Sequence, residues 1–485
     1  MNLLTDLVDN GWTGLSIGGE WRAASDGGTI DVLDPATAQP IATVASGTAD
    51  DARSAVDSAA AAGPAWAATS PQERSELLRR AFELMTDRSD QLAELIVAEM
   101  GKPLPEAKGE ATFAAEFFRW YSGEAVRNTG GVLTAPAGDK RIISVHQPVG
   151  VSLLITPFNF PASMATRKIA PAIAAGCTVI LKPASATPLT ALAIAALLAD
   201  AGLPDGVVNV LPSTRSSEVG SAMLSDDRVR LVSFTGSTEV GRALLAEAAE
   251  TVTNSSMELG GNAPFLVFDD ADIESAVVGA MIAKMRNGGQ SCVAANRFLV
   301  HESVADDFSG QLSTAIGALR VGPGPEPGVE LGPLVNHAAQ EAMVESVELS
   351  TDAGSSVATG GTAPNEAGYF FEPTVLTGVG RDDPILDREI FGPIAPITTF
   401  SSDDEAIALA NDTIHGLASY VYSRDLARAM RTSEALEFGM VGINRGFYSD
   451  PAAPFGGVKQ SGIGREGAHE GMMEFLETKY IAADW

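Results

Sequence analysis

Between residues 150 and 260 short aliphatic and β-branched runs alternate with longer apolar stretches of helical spacing. VGVSLLI, TVIL, GVVNVL and LVSF are the short runs. Such alternation predicts repeated βαβ units, which wind right-handed and build a parallel sheet covered by helices on both faces. After residue 258 the pattern restarts with APFLVF, a helix over 271–286, the run RFLVH and a helix over 303–319, and it continues to GMVGIN at 439–444. The fold class is therefore α/β: a doubly wound parallel-sheet domain followed by a second α/β domain.

Two other patterns stand outside this alternation. SPQERSELLRRAFELMTDRSDQLAELIVAEMG begins with Ser70, Pro71 and Glu73, a capping box with proline at the first helical position, and Leu78, Phe82 and Met85 follow at helical spacing. A structural helical hairpin is expected there. RIISVHQP at 141–148 and the terminal FLETKYIAADW read as strands with no partner in their own neighbourhood, and such edges are usually covered, here by another subunit. The opening MNLLTDLVDNGW lacks a signal peptide's basic and apolar regions, and PLTALAIAALLADAG at 188–202 is too short and interrupted to span a bilayer.

Composition narrows the partners. The 485-residue chain is 45% hydrophobic, enough for large cores, and its formal charge of −30 repels nucleic acid and anionic membranes. An anionic ligand then needs a local cluster of Lys and Arg. Two cysteines make no disulfide framework and fit a reducing compartment, with the cytoplasm as the default. His146, His301, His337, His415 and His469 are scattered without ligand spacing, so no metal site is expected.

Chemistry enters at RNGGQSCVAANRF. Cys292 follows a helix break at Gly288 and Gly289 and precedes VAAN, which reads as a new helical turn, so its sulfur is expected near a helix N-terminus, where thiolate is favoured. A buried inert thiol is the commoner fate of a cysteine, and Cys177 in IAAGCTVIL fits it. No histidine sits in a motif that would serve as a base. Glu258 in MELGG offers a desolvated carboxylate suited to general-base work, or equally a helix cap. Asn159 in TPFNFP, at the end of a parallel strand, offers an amide for an oxyanion.

TPFNFP, KPAS, FTGSTEVG, MELGG, GGQSCVAANR, EIFGP and PFGGVKQSG, in this order and spacing, resemble the motif set of the aldehyde dehydrogenase superfamily. The resemblance runs from GGEW at 18–21 to GREG at 464–467. It implies that Cys292 attacks an aldehyde, that the Asn159 amide and the Cys292 N–H hold the oxyanion, and that Glu258 activates the water that releases a carboxylic acid. It implies further that Gly236, Ser237 and Gly241 approach a dinucleotide's pyrophosphate, that Lys182 reaches its adenosine ribose, that Glu389 holds its nicotinamide ribose, and that Thr156, Phe158 and Phe391 lie along the cofactor. Ser185 departs from the glutamate of many NAD-preferring relatives. A small hydroxyl beside Lys182 leaves room for a 2′-phosphate, so NADP is expected, with NAD possible.

Arg167, Arg286 and Ser449 match the carboxylate-binding set of the succinate semialdehyde dehydrogenase branch, with Phe158 and Phe455 along the aldehyde tunnel. The expected substrate is an acidic semialdehyde, succinate or the related glutarate semialdehyde. For each arginine the bland alternative is an ion pair with a nearby acid. A coenzyme A acylating enzyme, a cysteine hydrolase and an idle binding protein are competing readings, against which Cys292, Glu258 and Asn159 weigh together. No second cysteine follows at Val293 or Ala294, so no regulatory disulfide is expected at the nucleophile. The family plan implies a dinucleotide-binding domain over 1–128 and 150–259, a catalytic domain over 260–472, an oligomerisation arm over 129–149 and 473–485, and a homodimer or homotetramer.

Overall fold

The computed structural model describes residues 3–364 and 367–484; Met1 and Asn2 of the opening segment and Trp485 of the terminal strand reading lie outside the described residues. Helix Pro71–Asp87 starts as its residues dictate. The Ser70 hydroxyl accepts from Glu73 N at 3.2 Å and the Glu73 carboxylate accepts from Ser70 N at 3.0 Å, which satisfies two otherwise orphaned donors.

Five strands form the parallel centre of the first sheet, in the order Asn254–Glu258, Val229–Thr235, Val151–Ile155, Thr178–Lys182 and Val208–Val210. Numbered along the chain this is 5-4-1-2-3, the doubly wound order, and its direction reverses between Val151–Ile155 and Val229–Thr235. Ligands of such sheets bind outside the carboxyl ends at that reversal, where neighbouring crossovers leave to opposite faces. The helix Pro161–Ala175, which leaves the first of these strands, is buried at every residue and packs on the helix Leu104–Glu124. Its apolar, alanine-rich sequence suits that central position.

A seven-stranded sheet builds the second lobe, in the order Ser356–Thr359, Thr374–Thr377, Ile394–Phe400, Ala295–His301, Ala263–Val267, Ala418–Tyr422 and Met440–Ile443. Only its first pair is antiparallel. Phe265 stacks on Tyr422 with centroids 4.8 Å apart, and Phe298 lies 5.2 Å from Phe265, within one apolar cluster. One piece of the later chain crosses over. Gly462–Ile463 adds an antiparallel edge to the first sheet beside Met257 and Glu258.

The two orphan strands find each other. Leu476–Ala483 pairs antiparallel with Arg141–Pro148, more than 300 residues away, but Arg141–Pro148 also has a neighbour after all, the antiparallel Gly131–Thr134, whose short exposed run escapes the sequence reading. Sequence neighbourhood could not disclose a pairing of that range. Val132, Leu133, Tyr480 and Ile481 stay exposed on this small sheet. Among the described residues no helix is long and apolar enough to cross a membrane, and no cluster of His, Cys, Asp or Glu could hold a metal ion.

Candidate active site

A cavity of about 1200 Å³ opens at the carboxyl ends of the first sheet. Ile155 and Thr156, Lys182, Thr235 and Gly236, and Leu259 and Gly260 line it from successive strand ends, which is where the strand order reverses. From the second lobe come Arg286, Ser291, Cys292, Glu389, Phe391, Ser449 and Phe455. Of the residues singled out in the sequence, Thr156, Phe158, Asn159, Arg167, Lys182, Ser185, Gly236, Ser237, Arg286, Cys292, Glu389, Phe391, Ser449 and Phe455 share this one cavity.

Cys292 reaches it through a left-handed turn. Helix Ile273–Met285 ends, and Asn287, Gly288 and Gly289 take φ of 57°, 61° and 73°. Gly289 must be glycine, because a Cβ there would meet the Gly392 carbonyl oxygen at 2.2 Å. Beyond Cys292 the chain enters strand Ala295–His301, not a helix, so the expected helix N-terminus is absent. Phe298, Leu299 and Val300 are buried on both faces of a parallel sheet, and that pairing overrides the weak helical start read in VAAN. The thiol is correspondingly not activated: burial, then the charges of Glu389 and Glu258, push it up to about 12, with Arg167 opposing.

Glu258 ends its strand 2% exposed, does not line the cavity, and neither carboxylate oxygen has a hydrogen-bond partner. Burial, reinforced by Glu466, raises its pKa well above the ordinary value. Glu466 in turn accepts from Lys168 Nζ at 2.5 Å and lies 3.7 Å from Arg167. Glu389 accepts from Gly261 N at 3.0 Å and is raised to about 7 by burial. Asn159 donates its amide to the Gln290 carbonyl at 2.9 Å, and with two N–H groups on that nitrogen one remains for a ligand.

Gly241 also lies off the cavity wall. A Cβ there would strike the Leu259 side chain at 2.4 Å, so this glycine lets helix Thr238–Thr251 close onto the Leu-Gly-Gly turn. At the start of that helix Ser237 accepts from Val240 N at 3.3 Å, Gly236 lines the cavity, and the Thr235 hydroxyl is buried without a partner. Lys182 bonds only the Pro183 carbonyl, at 3.3 Å, and burial lowers its pKa to about 8. A helix N-terminus, an unsatisfied hydroxyl and an underused amine at strand ends fit an anionic dinucleotide.

The two arginines differ. Arg167 is 3% exposed, packs 4.2 Å from the Phe455 ring centre, and keeps Nε and Nη1 without hydrogen bonds despite Glu466 nearby. Arg286 is sandwiched between Phe160 at 5.0 Å and Phe447 at 4.6 Å. Phe158 meets Phe391 edge-on at 5.8 Å. Sequence reading missed Lys102, Glu106, Glu110, Phe160 and Phe447. The available signal was Glu106 and Glu110 one helical turn apart, with a lysine in the adjacent Gly-Lys-Pro.

A thiol, a carboxamide and two arginines lining one cavity at the carboxyl ends of a doubly wound sheet mark a two-lobed α/β enzyme. The chain belongs to the aldehyde dehydrogenase family, whose model matches residues 21–481. It is 54% identical to the succinate-semialdehyde dehydrogenase of Paenarthrobacter nicotinovorans, over 91% of this chain and 98% of that one. It is 49% identical to the glutarate-semialdehyde dehydrogenase of Pseudomonas putida strain KT2440, over 96% of both. An Escherichia coli NADP-dependent enzyme superposes with a TM-score of 0.96 at 46% identity, covering 98% of both chains.

Proposed function

We propose that this chain oxidises succinate semialdehyde to succinate with NADP, and also accepts NAD. The observation that carries the reading is the convergence of Cys292, Asn159, Arg167, Arg286 and Ser449 on one cavity in an otherwise strongly acidic protein. Gly236, Ser237, Lys182, Ser185, Glu389, Thr156, Phe158 and Phe391 would hold the dinucleotide, which when bound supplies the hydride acceptor. Ser185, half-buried beside the cavity, leaves a 2′-phosphate uncontested. Gly241 acts indirectly, through helix packing.

Cys292 Sγ attacks the aldehyde carbon, and the free Asn159 N–H with the Cys292 N–H hold the oxygen as it gains charge. The thiol's raised pKa requires its proton to leave to solvent as the attack proceeds, and the carbon-bound hydrogen of the adduct would leave as hydride, with the bound dinucleotide as its acceptor, to give a thioester on Cys292. Glu258, raised by burial and Glu466 and opposed by Lys168, Arg167 and Arg465, turns to the cavity and in its ionised form accepts a proton from the water that cleaves the thioester. Arg167, Arg286 and Ser449 grip the substrate's carboxylate, with Phe455 along the tunnel. Charge-assisted bonds of about 1.5–3 kcal/mol each make an acidic tail strongly selected. One methylene is worth about 1–3 kcal/mol, so glutarate semialdehyde is the competing substrate.

The domain division, the oligomeric arm and a cytoplasmic setting belong to the same reading, supported by the separate three-stranded sheet and by two free cysteines. Steady-state kinetics of succinate, glutarate and uncharged aliphatic aldehydes, each with NADP and NAD, test it. Arg286→Ala should lower kcat/KM for succinate semialdehyde about ten- to a hundredfold while sparing the uncharged aldehyde. Equal losses on both, or a clear NAD preference, contradict the clamp or the Ser185 argument respectively.

A further inference from the structure

The link Gly101–Pro103, between helices Ser89–Met100 and Leu104–Glu124, buries Lys102 completely. Its ammonium has three partners. It pairs with Glu110, donates to the backbone carbonyl of Asn159 at 2.8 Å, and sits 4.1 Å over the Phe160 ring. Glu110 spends its other oxygen on Ala162 N at 2.9 Å and Ser163 N at 3.3 Å, capping the helix that carries Arg167. The same Asn159 carbonyl accepts a second bond, from Asn287 Nδ2 at 2.9 Å, and Asn287 N donates to Glu106 at 2.7 Å. Thus the peptide of Asn159 is gripped from the first lobe by Lys102 and from the Cys292 turn by Asn287.

We propose that Lys102 is a positioning residue: held by Glu110, it fixes the Asn159 carbonyl and through it aims the Asn159 amide at the oxygen that forms beside Cys292. A buried ammonium is costly unless its bonds are used, and here the ion pair with Glu110 holds the ammonium where its next bond falls on the Asn159 carbonyl in the cavity wall. Oxyanion donors work only when aimed at the developing charge, so loss of this anchor acts on the transition state rather than on binding. The inference rests on Asn159 being the oxyanion donor, and the test separates the two.

Lys102→Met, Asn159→Ala and the double variant are compared with the unaltered protein, with kcat expressed per alkylatable Cys292 so that misfolded protein does not count. Lys102→Met should lower kcat about ten- to a hundredfold, in line with the cost of small misplacements, and leave KM for aldehyde and dinucleotide within about threefold. In the Asn159→Ala background the same change should cost less than about threefold more, because its target is gone. Unchanged kcat, a loss carried by KM, or fully multiplicative losses overturn the role of Lys102. Retained kcat in Asn159→Ala alone overturns the oxyanion reading itself. Should Lys102→Met fail to fold, Lys102→Gln, whose amide ends one atom short of the lysine ammonium and so leaves the Asn159 carbonyl unheld, is read in the same cycle with the same outcomes.

Discussion

At the scale of single residues the free site is at rest. The thiol at about 12 and the buried Glu258 both favour their protonated forms, so reactivity awaits a change in their surroundings. Glu389 is the largest named charge holding the thiol up, and its own carboxyl titrates near 7. Above that pH it is anionic and disfavours thiolate; below it the charge, and the effect, disappear. Glu389→Gln should therefore speed iodoacetamide alkylation of Cys292 severalfold at pH 8.5, with the difference from the unaltered protein closing as pH falls below 7. A difference that grows on acidification would contradict this electrostatic account.

At the scale of elements, what positions Cys292 is a turn locked between two segments. Gly289 has φ of 73° and no room for a methyl against Gly392, in the loop that carries Glu389 and Phe391. Gly289→Ala should lower the melting temperature, by strain of about 1–3 kcal/mol plus the clash, and lower kcat with it. The elements themselves were legible: run lengths and helical spacing disclosed the parallel sheets, and the Ser70 box marked a helix start that the hydrogen bonds reproduce. VAAN misled because its two alanines favour a helix, and burial between two strands overrode that preference. At Gly241 the spacing marks a glycine, and the packing adds that the absent side chain makes room for Leu259. For Lys102 the nearby Glu106 and Glu110 are a local signal, but its bond to Asn159, 57 residues on, is made only by packing.

At the scale of the whole molecule, the acidic surface leaves the cavity's cations to draw two anions inward, and the small sheet carries exposed apolar side chains on its edge strands. Val132 and Tyr480 are 66% and 55% exposed on its strands, an apolar display that assembly of two or more copies would cover. Val132→Asp combined with Tyr480→Asp should shift the mass found by light scattering toward a single chain, while an unaltered mass would remove the sheet from the assembly argument. The crossing of Gly462–Ile463 onto the strand of Glu258 has another outcome, in time rather than space. During synthesis that strand must wait, edge open, while roughly 200 further residues are added, about 10–40 s at typical ribosomal speeds. The strand end that carries Glu258 is therefore closed late, and chains truncated before Gly462 should need chaperone protection, seen as aggregation when they are expressed without it, instead of emerging as folded halves.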